Sequence, residues 1–160
     1  MSEIKDNMTS AQFREMVKAG TITRAKPHNP KGNKNSGGNA TFVKDAAGII
    51  TVSVKPLSVN EAYTGRRFAT DSLKAFRKEL GFALKPIQLP PPPYAIHFVF
   101  GQSNPGADWD GGIKAAQDVI AKRYGFNDKL IRKGTVEIDL VEKGKEYISF
   151  NITHFKATKP

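Results

Sequence analysis

The residues best suited to chemistry are carboxylates gathered in one stretch. Asp108-Trp109-Asp110-Gly111-Gly112-Ile113-Lys114 runs on to Asp118, and Asn127-Asp128 follows. The chain as a whole carries 25 Lys+Arg against 15 Asp+Glu, a formal net charge of +10. A local cluster of acids in such a chain needs a reason. Carboxylate oxygens are the ligands that hard cations such as Mg²⁺ or Mn²⁺ prefer. Asp108 and Asp110, spaced i, i+2 on an extended stretch, point the same way and could share one cation. Asp128, from another loop, could complete the set. Lys114 lies one helical turn beyond Asp110, where its ammonium could reach a phosphate oxygen or balance developing negative charge. The same residues also have plain structural readings. Asp110-Gly111-Gly112 is a turn and N-cap signal. Asp110, Lys114 and Asp118 at i, i+4 spacing make ordinary helix-surface ion pairs. Spacing alone leaves both readings open.

Other chemistries find little support. With no cysteine, a disulfide framework, a thiol nucleophile and a Cys-ligated zinc site are excluded. His28, His97 and His154 are scattered without ligand or triad spacing. No Walker-type loop, GxGxxG or GxSxG occurs, which implies no nucleotide cofactor. Trp109 could stack on a base, but the reading preferred from sequence is a wedge that packs the acidic loop down. The 160 residues and 39% hydrophobic content suit one domain with a real core. No apolar run reaches membrane length, and the first residues lack the apolar stretch of a signal peptide, so the expected compartment is the cytoplasm. The basic excess points to a polyanionic partner, nucleic acid before membrane. It lies in the first two thirds of the chain, since residues 134–160 hold four charges of each sign.

The positioning elements follow from periodicity and breakers. Residues 9–19 read as a short helix ended by Gly20, and residues 24–40 as a basic flexible linker. Residues 1–45 thus form an N-terminal helical arm and linker, and 46–160 the main domain. Ile49–Val54 is a β-branched strand. Thr70 or Asp71 caps a helix to about Leu80, with Leu73, Phe76 and Leu80 inward and Gly81 as its stop. Pro90–Pro93 is an extended lead-in to a strand over Tyr94–Phe100, whose Ile96, Phe98 and Phe100 share one face. Residues 111–124 form an amphipathic helix. The alternating segments 135–141 and 147–152, with Gly144 between them, predict a β-hairpin. The expected fold is α+β: a mixed sheet of about four strands with two main helices, in the order β-α-β-α-β-β.

Taken together, two motifs resemble the RusA family of Holliday junction resolvases. Asp108-Trp109-Asp110-Gly111-Gly112-Ile113-Lys114 through Asp118, then Gly125-Phe126-Asn127-Asp128 before Lys129-Leu130, is similar to a signature of the form D-x-D-N-x-x-K-x-x-x-D followed by a D-D pair. Pro56-Leu57-Ser58-Val59-Asn60-Glu61-Ala62-Tyr63 resembles the family's P-x-S-x-N-x-x-Y segment. The likeness covers residues 49–155. It implies a Mg²⁺-dependent endonuclease, with Mn²⁺ as a substitute. Such an enzyme resolves four-way junctions or other branched DNA by paired nicking, as a homodimer, in recombination and repair. The resemblance places it in the cytoplasm of a bacterial cell, and so compact a resolvase is compatible with a phage origin. By the resemblance, Asp108, Asp110 and Asp128 are metal-binding catalytic residues and Lys114 the catalytic lysine. Asp118 and Asn127 are outer-shell candidates. Asn60, Tyr63, Arg66, Arg67, Lys74, Arg77 and Lys78 are the candidates for DNA contact. Gly111 stands where the family usually has Asn, and Asn127 where it has the first Asp of the pair. A non-catalytic binding module for branched or single-stranded DNA is the alternative that the basic residues and Trp109 serve equally well.

Overall fold

The computed structural model describes residues 40–64 and 68–157, all within the unit Asn35–Pro160. The predicted arm helix over 9–19, all of the predicted 24–40 linker but residue 40, and Arg66 and Arg67 lie outside the described residues. The architecture is α+β. A five-stranded mixed sheet has the order β1-β2-β7-β5-β6, from β1 (Phe42–Lys44), β2 (Ile50–Val52), β5 (Tyr94–Gln102), β6 (Ile131–Leu140) and β7 (Tyr147–His154). A small ribbon pairs β3 (Tyr63–Thr64) with β4 (Phe68–Ala69). One helical turn, α1 (Val59–Ala62), precedes the two main helices, α2 (Asp71–Ala83) and α3 (Ile113–Tyr124). No described helix is long and apolar enough to cross a membrane.

The core lies between the helices and one face of the sheet. β5 alternates from Tyr94 to Phe100, with Tyr94, Ile96, Phe98 and Phe100 buried, and Ile50, Val52, Ile148 and Phe150 extend that face. Leu73, Phe76 and Leu80 of α2 and Ala116, Val119 and Ile120 of α3 close over it. Fully burying each of the large aliphatic or aromatic side chains is worth roughly 1.5–3 kcal/mol. This apolar layer, rather than helix propensity, therefore fixes α3 and the acidic turn ahead of it.

The expected β6–β7 hairpin does not form. β5 runs between the two strands, parallel to β6 with α3 as the crossover and antiparallel to β7. β5 is the most buried of the three long strands and takes a neighbour on each side. The connection 141–146 needs only to step across it. Two strand spacings are about 10 Å, well within the reach of six residues at about 3.3 Å each. Gly144, at φ +92°, turns this connection without pairing its flanks. A side-chain link replaces the missing ladder. Tyr147 lies across β5 and its hydroxyl donates to Asp139 Oδ2 of β6 at 2.8 Å. Gly101 makes room, because a Cβ there would clash with the Tyr147 ring.

Three local expectations also change. β1 adds a strand ahead of Ile50, paired through Phe42↔Val52. α2 runs through Gly81 to Ala83, since burial of Ala83 and Leu84 draws the chain on, and the Leu84 N–H closes the helix on the Leu80 carbonyl. Its N-cap is Thr70, whose Oγ1 accepts from the Leu73 N–H. The proline run contains a cis Pro92–Pro93 bond and is tied down by Phe155 N–H donating to the Pro93 carbonyl.

Candidate functional site

The site is built at the C-terminal end of β5 and the start of α3. After Gln102 the chain loops through Asp108 and enters a tight turn. The Gly111 N–H donates to the Asp108 carbonyl at 3.2 Å, and the Ile113 N–H to the Asp110 carbonyl at 3.1 Å. Gly111 and Gly112 are buried under it. A Cβ on Gly112 would sit 3.5 Å from the Phe100 ring, and one on Gly111 3.4 Å from the Asp108 carbonyl and Ser58 Oγ. Both distances are ordinary van der Waals contact, so the turn is seated on the core by its burial and its backbone bonds. A further bond arrives from 52 residues upstream, the Val59 N–H donating to the Gly111 carbonyl at 2.7 Å. Ser58 caps that segment by accepting from the Asn60 N–H at 3.3 Å. The two separated motifs of the sequence are therefore joined through backbone.

The backbone is fixed, yet its side chains face outward. Asp108, Trp109 and Asp110 are all exposed, and Trp109 retains 64% of its surface. The expected wedge packing of Trp109 is thus not what the fold does. The chain reaches the core through Gly111 and Gly112, so the indole is not needed there. Asp108 and Asp110 have no ion-pair partner among the described residues.

One turn on, the charges are satisfied. Lys114 Nζ lies 2.7 Å from Asp118 Oδ1 and 3.3 Å from Asp128 Oδ2. The hydrogen bond to Asp118 has the largest influence. With the charge of both carboxylates it outweighs partial burial and raises the Lys114 ammonium above its ordinary value. Asp128 opens the short 3₁₀ turn Asp128–Leu130, which Asn127 caps by accepting from the Lys129 N–H at 2.9 Å. Asn127 thus spends its side-chain oxygen on the turn that carries Asp128.

The structure therefore brings Lys114, Asp118 and Asp128 into contact and leaves Asp108 and Asp110 as a separate exposed pair. Among the described residues no group of three or more His, Asp or Glu side chains forms a metal cage. The donor chemistry of the exposed pair still suits Mg²⁺. That ion takes one or two carboxylates and fills its remaining positions with water and substrate phosphate, and neither Asp108 nor Asp110 is committed elsewhere.

The predicted DNA-contact residues scatter. Lys74 is paired with Asp71 at 2.9 Å on α2. Lys78 and Asn60 are exposed, and Tyr63 is half-buried against the core. Arg77 lines a groove of about 570 Å³ between α2 and α3, with Gly81, Asp118, Val119, Lys122 and Arg123. Lys122 and Arg123 line this groove with Arg77, and sequence reading did not single them out as site residues. Both sit in the last turn of α3, where basic residues are expected for helix-dipole reasons alone, and only the packing of α2 shows that they face Arg77. Arg123 is fixed there by its Nε donating to the Leu84 carbonyl at 2.9 Å. No family model and no curated protein matches this chain.

Proposed function

We propose that the chain is a Mg²⁺-dependent endonuclease for branched DNA, a four-way junction above all, acting as a homodimer in recombination and repair. The observation that carries this reading is the Val59–Gly111 backbone bond. It fixes the turn that holds Asp108 and Asp110 out to solvent, directly ahead of a lysine held protonated by two carboxylates. Asp108 and Asp110 would hold the cation, which when bound supplies positive charge against the phosphoryl oxygens of the scissile group. Water attacks phosphorus in line, giving a proton to solvent, and the bond to the 3′ oxygen breaks as that oxygen takes a proton from solvent, leaving a 5′-phosphate and a 3′-hydroxyl. Lys114 stabilises the charge that gathers on the phosphoryl oxygens, and Asp118 and Asp128 hold it in position. Arg77, Lys122 and Arg123 contact the phosphate backbone, which positions DNA without reading its sequence. A homodimer supplies two sites for two symmetric nicks.

A second reading, a non-catalytic binder of branched or single-stranded DNA, is favoured by one observation. Asp128 is committed to Lys114 rather than to the Asp108–Asp110 pair. A labelled four-way junction incubated with Mg²⁺ or with EDTA separates the two. Metal-dependent nicking into paired duplex products supports the nuclease, and a metal-independent gel shift without nicking overturns it in favour of the binder.

A further inference from the structure

We infer that Trp109 stacks on a base face left open at the branch point of the DNA, and so helps select branched over linear substrate. This rests on the branched-DNA reading of the same site. Three observations lead to it. The indole is 64% exposed and has no ring neighbour or hydrogen-bond partner among the described residues. Its backbone is held on both sides, through the Asp108–Gly111, Asp110–Ile113 and Val59–Gly111 bonds, so the exposure is not that of a loose loop. Finally, it stands between two unpaired carboxylates. Without a bound cation an anionic group would be repelled there, whereas a neutral aromatic face would not.

Phe68 and Phe82 are exposed as well, but neither adjoins the acidic turn in sequence. A base within a continuous duplex has both faces covered by its neighbours. At a branch the stack is interrupted and a face is free. Stacking on an aromatic side chain is sequence-tolerant, because every base has such a face, so Trp109 would recognise structure rather than sequence.

Trp109 is the sole tryptophan, so its emission reports on itself. The full chain is titrated in EDTA with a four-way junction and with a linear duplex of the same sequences, while anisotropy of a dye on the DNA reports binding separately. The junction is expected to quench the indole and shield it from acrylamide, and the duplex to do so much less. Trp109→Leu should lower junction affinity roughly tenfold or more and leave duplex affinity unchanged, with Trp109→Phe restoring most of the loss. The side chain is exposed, so the fold is not at risk, and circular dichroism verifies this. Junction binding with unchanged emission, equal quenching by linear duplex, or wild-type junction affinity in Trp109→Leu each overturns the proposal. Nicking with Mg²⁺ is scored on the same junction. Quenching without nicking upholds the stacking and overturns the nuclease; nicking without quenching does the reverse. Absence of any DNA binding overturns both.

Discussion

The two halves of the candidate site are built on opposite principles. In the Lys114 half every charge is answered: the ammonium meets Asp118 and Asp128, and Asn127 caps the turn beneath. In the Asp108–Asp110 half the backbone is answered and the side chains are not. Three main-chain bonds hold the turn, while two carboxylates and an indole stand in solvent. An acid that only served the fold would be expected to find a cap or an ion pair, as Asp71 and Asp45 do. The difference separates a cation already paired within the chain from two exposed anions with no ion-pair partner among the described residues.

The sharpest way to break the comparison is to neutralise the exposed half. Asp110→Asn, and separately Asp108→Asn, should reduce nicking of a four-way junction by more than about a hundredfold, beyond the usual effect of an outer-shell change. Junction affinity in EDTA should stay near wild type. Undiminished cleavage at normal Mg²⁺ would remove the pair from the chemistry. Next comes the satisfied half. Lys114→Met keeps the stem and removes the charge, and should slow single-turnover nicking by about a hundredfold with binding in EDTA little changed. If binding collapses and the rate of bound substrate does not, Lys114 is a phosphate anchor only.

The sequence made these halves unequally legible. The carboxylates and the lysine were visible as residue types at a spacing, and α3 was visible because Ala116, Val119 and Ile120 recur at helical period. What one-dimensional pattern does not carry is which partner a group finds. Segments 135–141 and 147–152 each alternate as a strand should, but competition for β5 decided against the hairpin. Gly81 reads as a stop because the burial of Ala83 and Leu84 is a tertiary fact. Trp109 reads as a wedge because large aromatics are usually inside, and only the two buried glycines after it show that the space is taken.

The anchor between the motifs can be tested more gently. Val59→Pro removes one N–H donor and little else. Val59 is the first residue of α1, where proline is favoured. Its predecessor Ser58 already has the extended conformation (φ −67°, ψ 146°) that proline requires, and Val59 is 44% exposed. The loss of its bond to the Gly111 carbonyl should lower stability by about 1 kcal/mol and the melting temperature by about 4 °C. Nicking should fall several-fold as the acidic turn loosens, with the rate still dependent on Lys114. A variant that melts lower and nicks at the wild-type rate would show that the turn holds its geometry without the upstream segment.

The smallest expected effect is on pH dependence, and it sharpens the satisfied half. The hydrogen bond that Lys114 donates to Asp118, then the charge of Asp118 and the hydrogen bond and charge of Asp128, raise the pKa of Lys114 above its ordinary value in the folded chain. A group raised in the folded state contributes its stability fully below its unfolded value and loses it only as pH climbs through the folded one. Lys114 is more than half exposed, so the contribution itself is small. Its charge, however, should persist across the working range. Tyr124 and Tyr147 are pushed to about 12, the first by burial and the second by burial and Asp139, so neither titrates earlier. The rate of nicking should therefore show no falling limb from these groups between about pH 7 and pH 10. A limb near pH 9 that disappears in Lys114→Arg would mean that the ammonium loses its proton early, and that Asp118 and Asp128 do not hold it as the comparison requires.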